Sequence, residues 1–291
     1  MFDQLPKFTI NGDPEGELSP LDRGFNYADG LFETVRLEGG KLPLWHWHRQ
    51  RLEHSCERLG MALPYAQLRL WLTAVLADAA HMGLARGLVK ITVTRGVGGR
   101  GYRYDSDATP TIVIGLYPPT NYPQQNFDTG VALFRCQQPL GINPSLAGLK
   151  NLNKLEYVLA RAEWQGAEYA EGLLCDIEGR AVEGTVSNIF ALDGRELLTP
   201  ALHRCGVSGV MRRVVIEALA PQLELTVREC DLVPEQLLEA DELFISNSVF
   251  GLWSVVQLGE EPIGNGPVTR QLQQKLGDFI NQQLNKKEDF R

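Results

Sequence analysis

Ala147-Gly-Leu-Lys-Asn-Leu-Asn153 sets a single lysine, Lys150, among small and apolar residues just ahead of a stretch with helical periodicity. Leu155, Val158, Leu159 and Ala162 recur at intervals of three and four, which predicts a helix from about Asn153 through Gln165 with that stripe on one face. Lys150 would then lie near the positive end of the helix. Apolar neighbours and a helix N-terminus both lower a lysine's pKa. An amine that is free at neutral pH can capture an aldehyde and shuttle protons. A solvated lysine at a helix start, with Lys154 beside it, fits the same residues, so this window alone leaves both readings open.

Downstream, Gly172-Leu-Leu-Cys175 and the segment from Ala181 to Leu192 read as strands flanking a Glu178-Gly179 turn, and Asp193-Gly194 signals a hairpin into Glu196-Leu-Leu-Thr199. Within the second strand, Val182-Glu-Gly-Thr-Val-Ser-Asn188 interrupts an apolar run with an acid next to a glycine. A carboxylate there needs a partner, and a pyridinium N–H is one chemistry that supplies it; a solvent-facing Glu is the plainer alternative. Gly206-Val-Ser-Gly209 opens a helix predicted over Val210–Leu219, offering backbone N–H groups and the Ser208 hydroxyl to an anion. Its spacing matches neither a Walker loop nor a dinucleotide fingerprint. A C-terminal amphipathic helix is predicted from Val268 to Leu284.

Upstream, Lys7–Asn11 and Leu31–Leu37 read as strands, the latter turning at Glu38-Gly-Gly40 into Lys41-Leu-Pro-Leu44 as a hairpin. Helices follow over Trp45–Leu59 and Tyr65–Met82, then strands at Leu88–Thr94 and Thr111–Leu116, separated by Gly96-Val-Gly-Gly-Arg-Gly-Tyr-Arg103. The proline-rich stretch Pro118-Pro-Thr-Asn-Tyr-Pro-Gln-Gln125 resists helix and central strand. The expected organisation is therefore a smaller N-terminal α/β lobe over 1–117, a linker over 118–129, and a larger lobe over 130–291 carrying Lys150.

The formal net charge of -8, with Lys and Arg scattered, excludes a broad nucleic-acid surface. No apolar run approaches the roughly 20 residues of a bilayer span, and Met1 leads directly into polar residues, so a cytoplasmic protein is expected. Five dispersed cysteines form no CxxC pair, which points to reduced thiols. His46, His48 and His54 lack an accompanying carboxylate cluster, so no metal is expected and a solvated helix face is the preferred reading.

Taken in order, Arg51, Leu149-Lys-Asn-Leu-Asn153, Glu183-Gly-x-x-x-Asn188 and Gly206-Val-Ser-Gly209, together with Asp22-Arg-Gly-Phe-Asn-Tyr-Ala-Asp-Gly-Leu-Phe-Glu-Thr34, resemble the signature of the fold-type IV pyridoxal-phosphate enzymes over nearly the whole chain. The resemblance implies an α+β fold of two lobes, the larger with a barrel-like β core, pyridoxal 5'-phosphate as cofactor, and a homodimer. It implies that Lys150 holds the cofactor aldehyde, Glu183 the pyridine nitrogen, and Arg51 with Val207, Ser208 and Ser248 the phosphate. Gly98-Gly-Arg-Gly-Tyr102 and Leu146–Glu156 resemble the aminodeoxychorismate lyases of that family more than its transaminases. Where D-amino-acid transaminases carry an Arg-x-His trap this chain has Arg95-Gly-Val, and where branched-chain transaminases carry Tyr-Gly-x-x-x-Phe-Glu-Gly it has Tyr27-Ala-Asp-Gly-Leu-Phe-Glu-Thr34. The implied reaction is elimination from 4-amino-4-deoxychorismate to 4-aminobenzoate and pyruvate, with Arg100 and Arg103 as candidates for the substrate carboxylates. The alternative is a transaminase acting on D-amino acids, branched-chain amino acids or small amines.

Overall fold

Alternation along Leu31–Leu37 buries Leu31, Glu33, Val35 and Leu37 on one face of a strand, an apolar face interrupted by one acid. The computed structural model, which describes residues 5–286, divides the chain into two compact units. The first holds residues 5–121, 150–153 and 280–286; the second holds 122–149 and 154–279.

In the first unit, β1 (Lys7–Ile10), α1 (Arg23–Tyr27), β2 (Gly30–Glu38), α2 (Trp45–Arg58), α3 (Tyr65–His81), β3 (Arg86–Thr94) and β4 (Thr111–Tyr117) follow in chain order. The strands form one antiparallel sheet in the order β1-β4-β3-β2. Both helices bury the predicted stripes, Leu52 and Cys56 on α2, and Leu68, Leu72, Val75 and Ala79 on α3. The predicted hairpin is different: Glu38 and Lys41 close a single bridge, and β2 pairs along its whole length with β3 instead. Pro43 has no N–H to give a ladder, and Leu42, Pro43 and Leu44 are buried on the way into α2. The outer edge of β2 is covered by residues 150–152, through Phe32 N–H to Lys150 O at 3.0 Å and Leu152 N–H to Gly30 O at 3.0 Å.

The second unit contains α4 (Gln125–Asp128), β5 (Val131–Arg135), α5 (Leu155–Arg161), β6 (Glu171–Cys175), β7 (Ala181–Gly184), β8 (Asn188–Asp193), β9 (Glu196–Pro200) and α6 (Val210–Val214), the last continuing as a π-turn through Leu219. Then come β10 (Thr226–Cys230), α7 (Pro234–Leu238), β11 (Glu242–Asn247), β12 (Gly251–Leu258), β13 (Glu261–Pro262) and α8 (Pro267–Asn285), whose residues from Ile280 on belong to the first unit. Sheet order is β10-β9-β8-β11-β12-β5-β6-β7, with β13 on β12. Four strands separate β8 from β7, which in a flat sheet would hold them about 24 Å apart. Three residues, 185–187, connect them in the chain and span at most about 14 Å from Gly184 to Asn188. The sheet must therefore curl back on itself, giving the barrel-like core that the family resemblance implied.

Two expectations change here. The strand predicted from Ala181 to Leu192 is two strands, broken at 185–187 because the buried Glu171 carboxylate accepts the N–H groups of Thr185 and Val186 and the hydroxyls of Thr185 and Ser187. The helix after Lys150 is shorter than predicted, and its apolar stripe of Leu155, Val158 and Leu159 faces outward; Ala160 is the residue it buries. Phe190 and Phe244, paired across β8 and β11, stack at 4.8 Å and are fully buried.

Glu242, buried at the start of β11, accepts hydrogen bonds from Val268 N–H, Thr269 N–H and the Thr269 hydroxyl, satisfying N–H groups that the first turn of α8 leaves open. A Cβ at Gly266 would lie 2.1 Å from a Glu242 oxygen, so the approach requires glycine. Glu242→Ala strands these donors and is expected to destabilise the protein by roughly 2–4 kcal/mol. Equilibrium denaturant melts of the two proteins measure the difference, and an unchanged midpoint would contradict the capping role.

Candidate active site

Lys150 lies in a backbone segment held from both sides. Gly148 N–H donates to Gly206 O at 2.9 Å and Ser208 N–H donates to Gly148 O at 3.0 Å, while two residues later Lys150 O accepts from Phe32. Gly148 has a φ of +79°, which a side chain would resist. Lys150 is half-buried, with Nζ 4.2 Å from the centroid of the Phe32 ring.

Within the same unit, α2 brings His48 and Arg51, three residues apart and so on one face, onto the acid of β2. Arg51 Nε donates to Glu33 Oε1 at 2.8 Å and its Nη2 to Oε2 at 2.5 Å, and His48 Nδ1 lies 2.6 Å from Oε2. Burial pushes the Glu33 carboxyl up, but the charge and hydrogen bonds of Arg51, with the hydrogen bond from His48, outweigh it and hold the group at about 2. Burial, with the charges of Arg51 and Lys150, carries His48 below the usual imidazole range despite the pull of Glu33. His48 is thus a neutral ring donating from Nδ1, and its buried Nε2 has no partner among the described residues. The expectation of a solvated helix face fails for His48, which is 1% exposed. The pattern that would have revealed this pair is an acid on the apolar face of β2 and a His-x-x-Arg on the next helix.

In the second unit, Glu183 lies one residue before the end of β7 at 3% exposure, and its carboxylate receives donors from three segments. The Tyr157 hydroxyl donates to Oε1 at 2.6 Å, Asn188 Nδ2 donates to Oε2 at 3.1 Å, and Val207 N–H reaches both oxygens at 3.1 and 3.0 Å. Asn188 also donates to Val207 O at 2.9 Å, tying the strand to the loop. Gly184 is required beside the acid because a Cβ there would sit 2.3 Å from Ser187 Oγ and 3.0 Å from the Glu171 carboxylate. Of the anion-binding groups read from Gly206-Val-Ser-Gly209, the Val207 N–H is taken by Glu183 and the Ser208 N–H by Gly148; the Ser208 hydroxyl side of the loop is exposed. Ser248 lies half-buried in the turn between β11 and β12. In that segment the buried hydroxyl without a partner among the described residues is that of Ser246.

Arg100 and Arg103 are exposed. The buried cation beneath their loop is Arg23, which donates to the carbonyls of Gly101, Tyr102 and Arg103 and pairs with Asp29 at 2.9 Å. Asp29 also pairs with the buried Arg95 at 2.8 Å, whose guanidinium donates to the Leu59 and Gly60 carbonyls. Arg23 therefore anchors the loop, and Arg95 ties Asp29 to the turn that follows α2. Sequence reasoning named neither Arg23, Asp29 nor Tyr157, since each acts through a partner distant in sequence.

Because Glu33 binds its proton more weakly folded than unfolded, its pairing contributes fully above the ordinary value of 4.5 and is lost as pH falls toward 2. That loss is on the order of 3 kcal/mol. Glu33→Gln should flatten the acid limb of a stability-versus-pH curve between pH 5 and 2. Parallel acid limbs in the two proteins would count against this account of the triad.

The amino-transferase class IV profile matches residues 30–258. A protein named aminodeoxychorismate lyase from Vibrio harveyi is 34% identical over 278 residues, 92% of this chain and 99% of its own. A D-alanine aminotransferase of Staphylococcus aureus is 26% identical over 285 residues, 95% of this chain and 98% of its own. The crystal structure of 4-amino-4-deoxychorismate lyase from Pseudomonas aeruginosa superposes with a TM-score of 0.88 at 43% identity, covering 93% of this chain and 98% of that one. A match across most of the chain, carried by both sequence and fold, leaves one assignment: the protein belongs to the class IV aminotransferase family.

Proposed function

We propose that the protein is a pyridoxal 5'-phosphate-dependent lyase that converts 4-amino-4-deoxychorismate to 4-aminobenzoate and pyruvate. The observation that carries the reading is the near full-length likeness to two proteins of that name, at 34% and 43% identity. The residues suit the cofactor chemically. The buried, multiply hydrogen-bonded Glu183 carboxylate is an acceptor for a ring N–H, the Lys150 amine is a partner for an aldehyde, and the Arg51 guanidinium and the Ser208 hydroxyl are each of a type that donates to a phosphate. When bound, the cofactor supplies an aldehyde that captures a primary amine and a ring that accepts electrons.

In this reading Lys150 Nζ holds the cofactor at rest and, once freed by the substrate's amine, takes the proton from the amine-bearing ring carbon. The enolpyruvyl oxygen on the neighbouring carbon leaves with its bonding electrons, which aromatises the ring. The proton returns from Nζ to the methylene carbon of the departing enolate, giving pyruvate. Glu183 keeps a negative partner at the ring nitrogen throughout, while Arg51, Ser208 and Ser248 orient the phosphate. Arg100 and Arg103, exposed on a glycine-rich loop, meet the substrate's carboxylates. Glu33 and His48 hold Arg51 in place.

A homodimer in the cytoplasm completes the proposal. The outward Leu155, Val158 and Leu159 of α5 give a second copy an apolar surface to cover, and no helix among the described residues is long and apolar enough to cross a membrane. The test is a coupled assay for pyruvate and 4-aminobenzoate with enzymatically generated aminodeoxychorismate. The wild type should release both in equal amounts, and Lys150→Ala should lose at least about 1000-fold in turnover, the scale of removing a residue that is both covalent anchor and proton carrier. Transfer of the amino group to a keto acid, without pyruvate release from the chorismate derivative, would favour a transaminase instead.

A further inference from the structure

The hydroxyl of Tyr157 has no need of a carboxylate for packing. Its ring leans on an apolar cluster of Leu140, Ala160, Val182 and Cys205, where a phenylalanine would be equally at home. Yet the hydroxyl reaches Glu183 Oε1 at 2.6 Å, shorter than the 3.0 to 3.1 Å from Val207 N–H and Asn188 Nδ2 to the same carboxylate. The remaining donors are set by the fold. Val207 donates from the backbone and divides its N–H between both oxygens, and Asn188 divides its amide between Glu183 and the Val207 carbonyl. The phenol is directed at one oxygen alone. Burial and the charge of Glu183 push its pKa well above the usual phenol range, so it remains a donor across the working pH range. Lys154 Nζ lies 4.4 Å from the centroid of the same ring.

We propose that Tyr157 is a positioning residue that, through its hydrogen bond to Glu183 Oε1, sets how strongly that carboxylate holds the ring N–H of the cofactor. The inference rests on the assignment of Glu183 to the ring nitrogen. A short hydrogen bond draws electron density from the carboxylate, so that less is left for a proton shared on its other side. Removing the hydroxyl concentrates that charge, and the shared proton moves from the ring toward Glu183. A more acidic phenol does the reverse. A ring nitrogen stripped of its proton is a weaker electron acceptor, so the hydroxyl would adjust the chemistry without touching substrate or cofactor.

The experiment uses the full-length protein loaded with pyridoxal 5'-phosphate labelled with ¹⁵N in the ring, as wild type, as Tyr157→Phe, and with 3-fluorotyrosine at position 157. The readouts are the ring nitrogen chemical shift, the pH dependence of the visible absorption band, and the thermal midpoint of the cofactor-free protein. The expected result is a ring nitrogen shift several ppm toward the unprotonated value in Tyr157→Phe and a displacement of opposite sign with fluorotyrosine. Should Tyr157→Phe fail to fold, the fluorotyrosine protein, which keeps the ring and the hydroxyl, decides the matter by the sign of its displacement. A lower thermal midpoint with the nitrogen shift and the band unchanged makes the hydroxyl merely structural and overturns the inference. Borohydride reduction of the wild type reports separately on the underlying reading: a label on Lys150 supports it, and its absence removes that reading and the inference with it.

Discussion

A carboxylate removed from water must be given hydrogen-bond donors, and around the candidate site the second unit meets that demand at Glu183 and Glu171, as it does at Glu242 beneath α8. Glu183, near the end of β7, draws donors from α5, from β8 and from the loop ahead of α6. Glu171 does the same for the three residues that join β7 to β8, accepting from Thr185, Val186 and Ser187. The two acids are coupled through Gly184, whose missing side chain lets the Glu171 carboxylate and the Ser187 hydroxyl approach the backbone next to Glu183. Leaving any of these groups unsatisfied costs on the order of 1–3 kcal/mol, enough to decide the local path of the chain.

The first unit applies the same constraint to a different end. Glu33 sits on a buried strand face among Leu31, Val35 and Leu37, and desolvation alone would drive its carboxyl toward the neutral form. A two-point guanidinium from Arg51 and a neutral imidazole from His48 reverse the outcome. Removing one member of such a buried set leaves an uncompensated charge, a far larger penalty than the set's net contribution when whole. Arg51 is consequently held by a buried partner at two points, which suits the phosphate-orienting role proposed for it.

Between Leu149 and Lys150 the chain passes from one unit to the other, and it returns between Asn153 and Lys154. Backbone bonds grip both sides of that crossing, Gly148 with residues 206 and 208, and Lys150 and Leu152 with the edge of β2. A lysine on so short and so well-fixed a segment has its backbone determined before any ligand is considered.

Much of this was legible in the residues themselves. Period-two and period-three-to-four patterns gave β1 to β4, α2 and α3 of the first unit to within a few residues, because β2, α2 and α3 each bury one apolar face, while α1 was not predicted and the arm predicted over Lys41–Leu44 is not a strand. The motif lysine, the acid beside a glycine and the glycine-flanked loop ahead of a helix stood out because their residue types conflict with their apolar surroundings. Tertiary structure alone decided the rest. The break at 185–187 depends on Glu171, a residue 14 to 16 positions away in sequence, and the outward stripe of α5 depends on what the rest of the second unit leaves uncovered. Asn188 and Asp29 aside, the hydrogen-bond partners given for Glu33, Glu183 and Arg23 come from 15 to 80 residues away, and no local pattern encodes which donor a buried charge will meet once the chain has closed. Local periodicity specifies elements because it acts within one element; the satisfaction of buried charge is a property of the assembled fold.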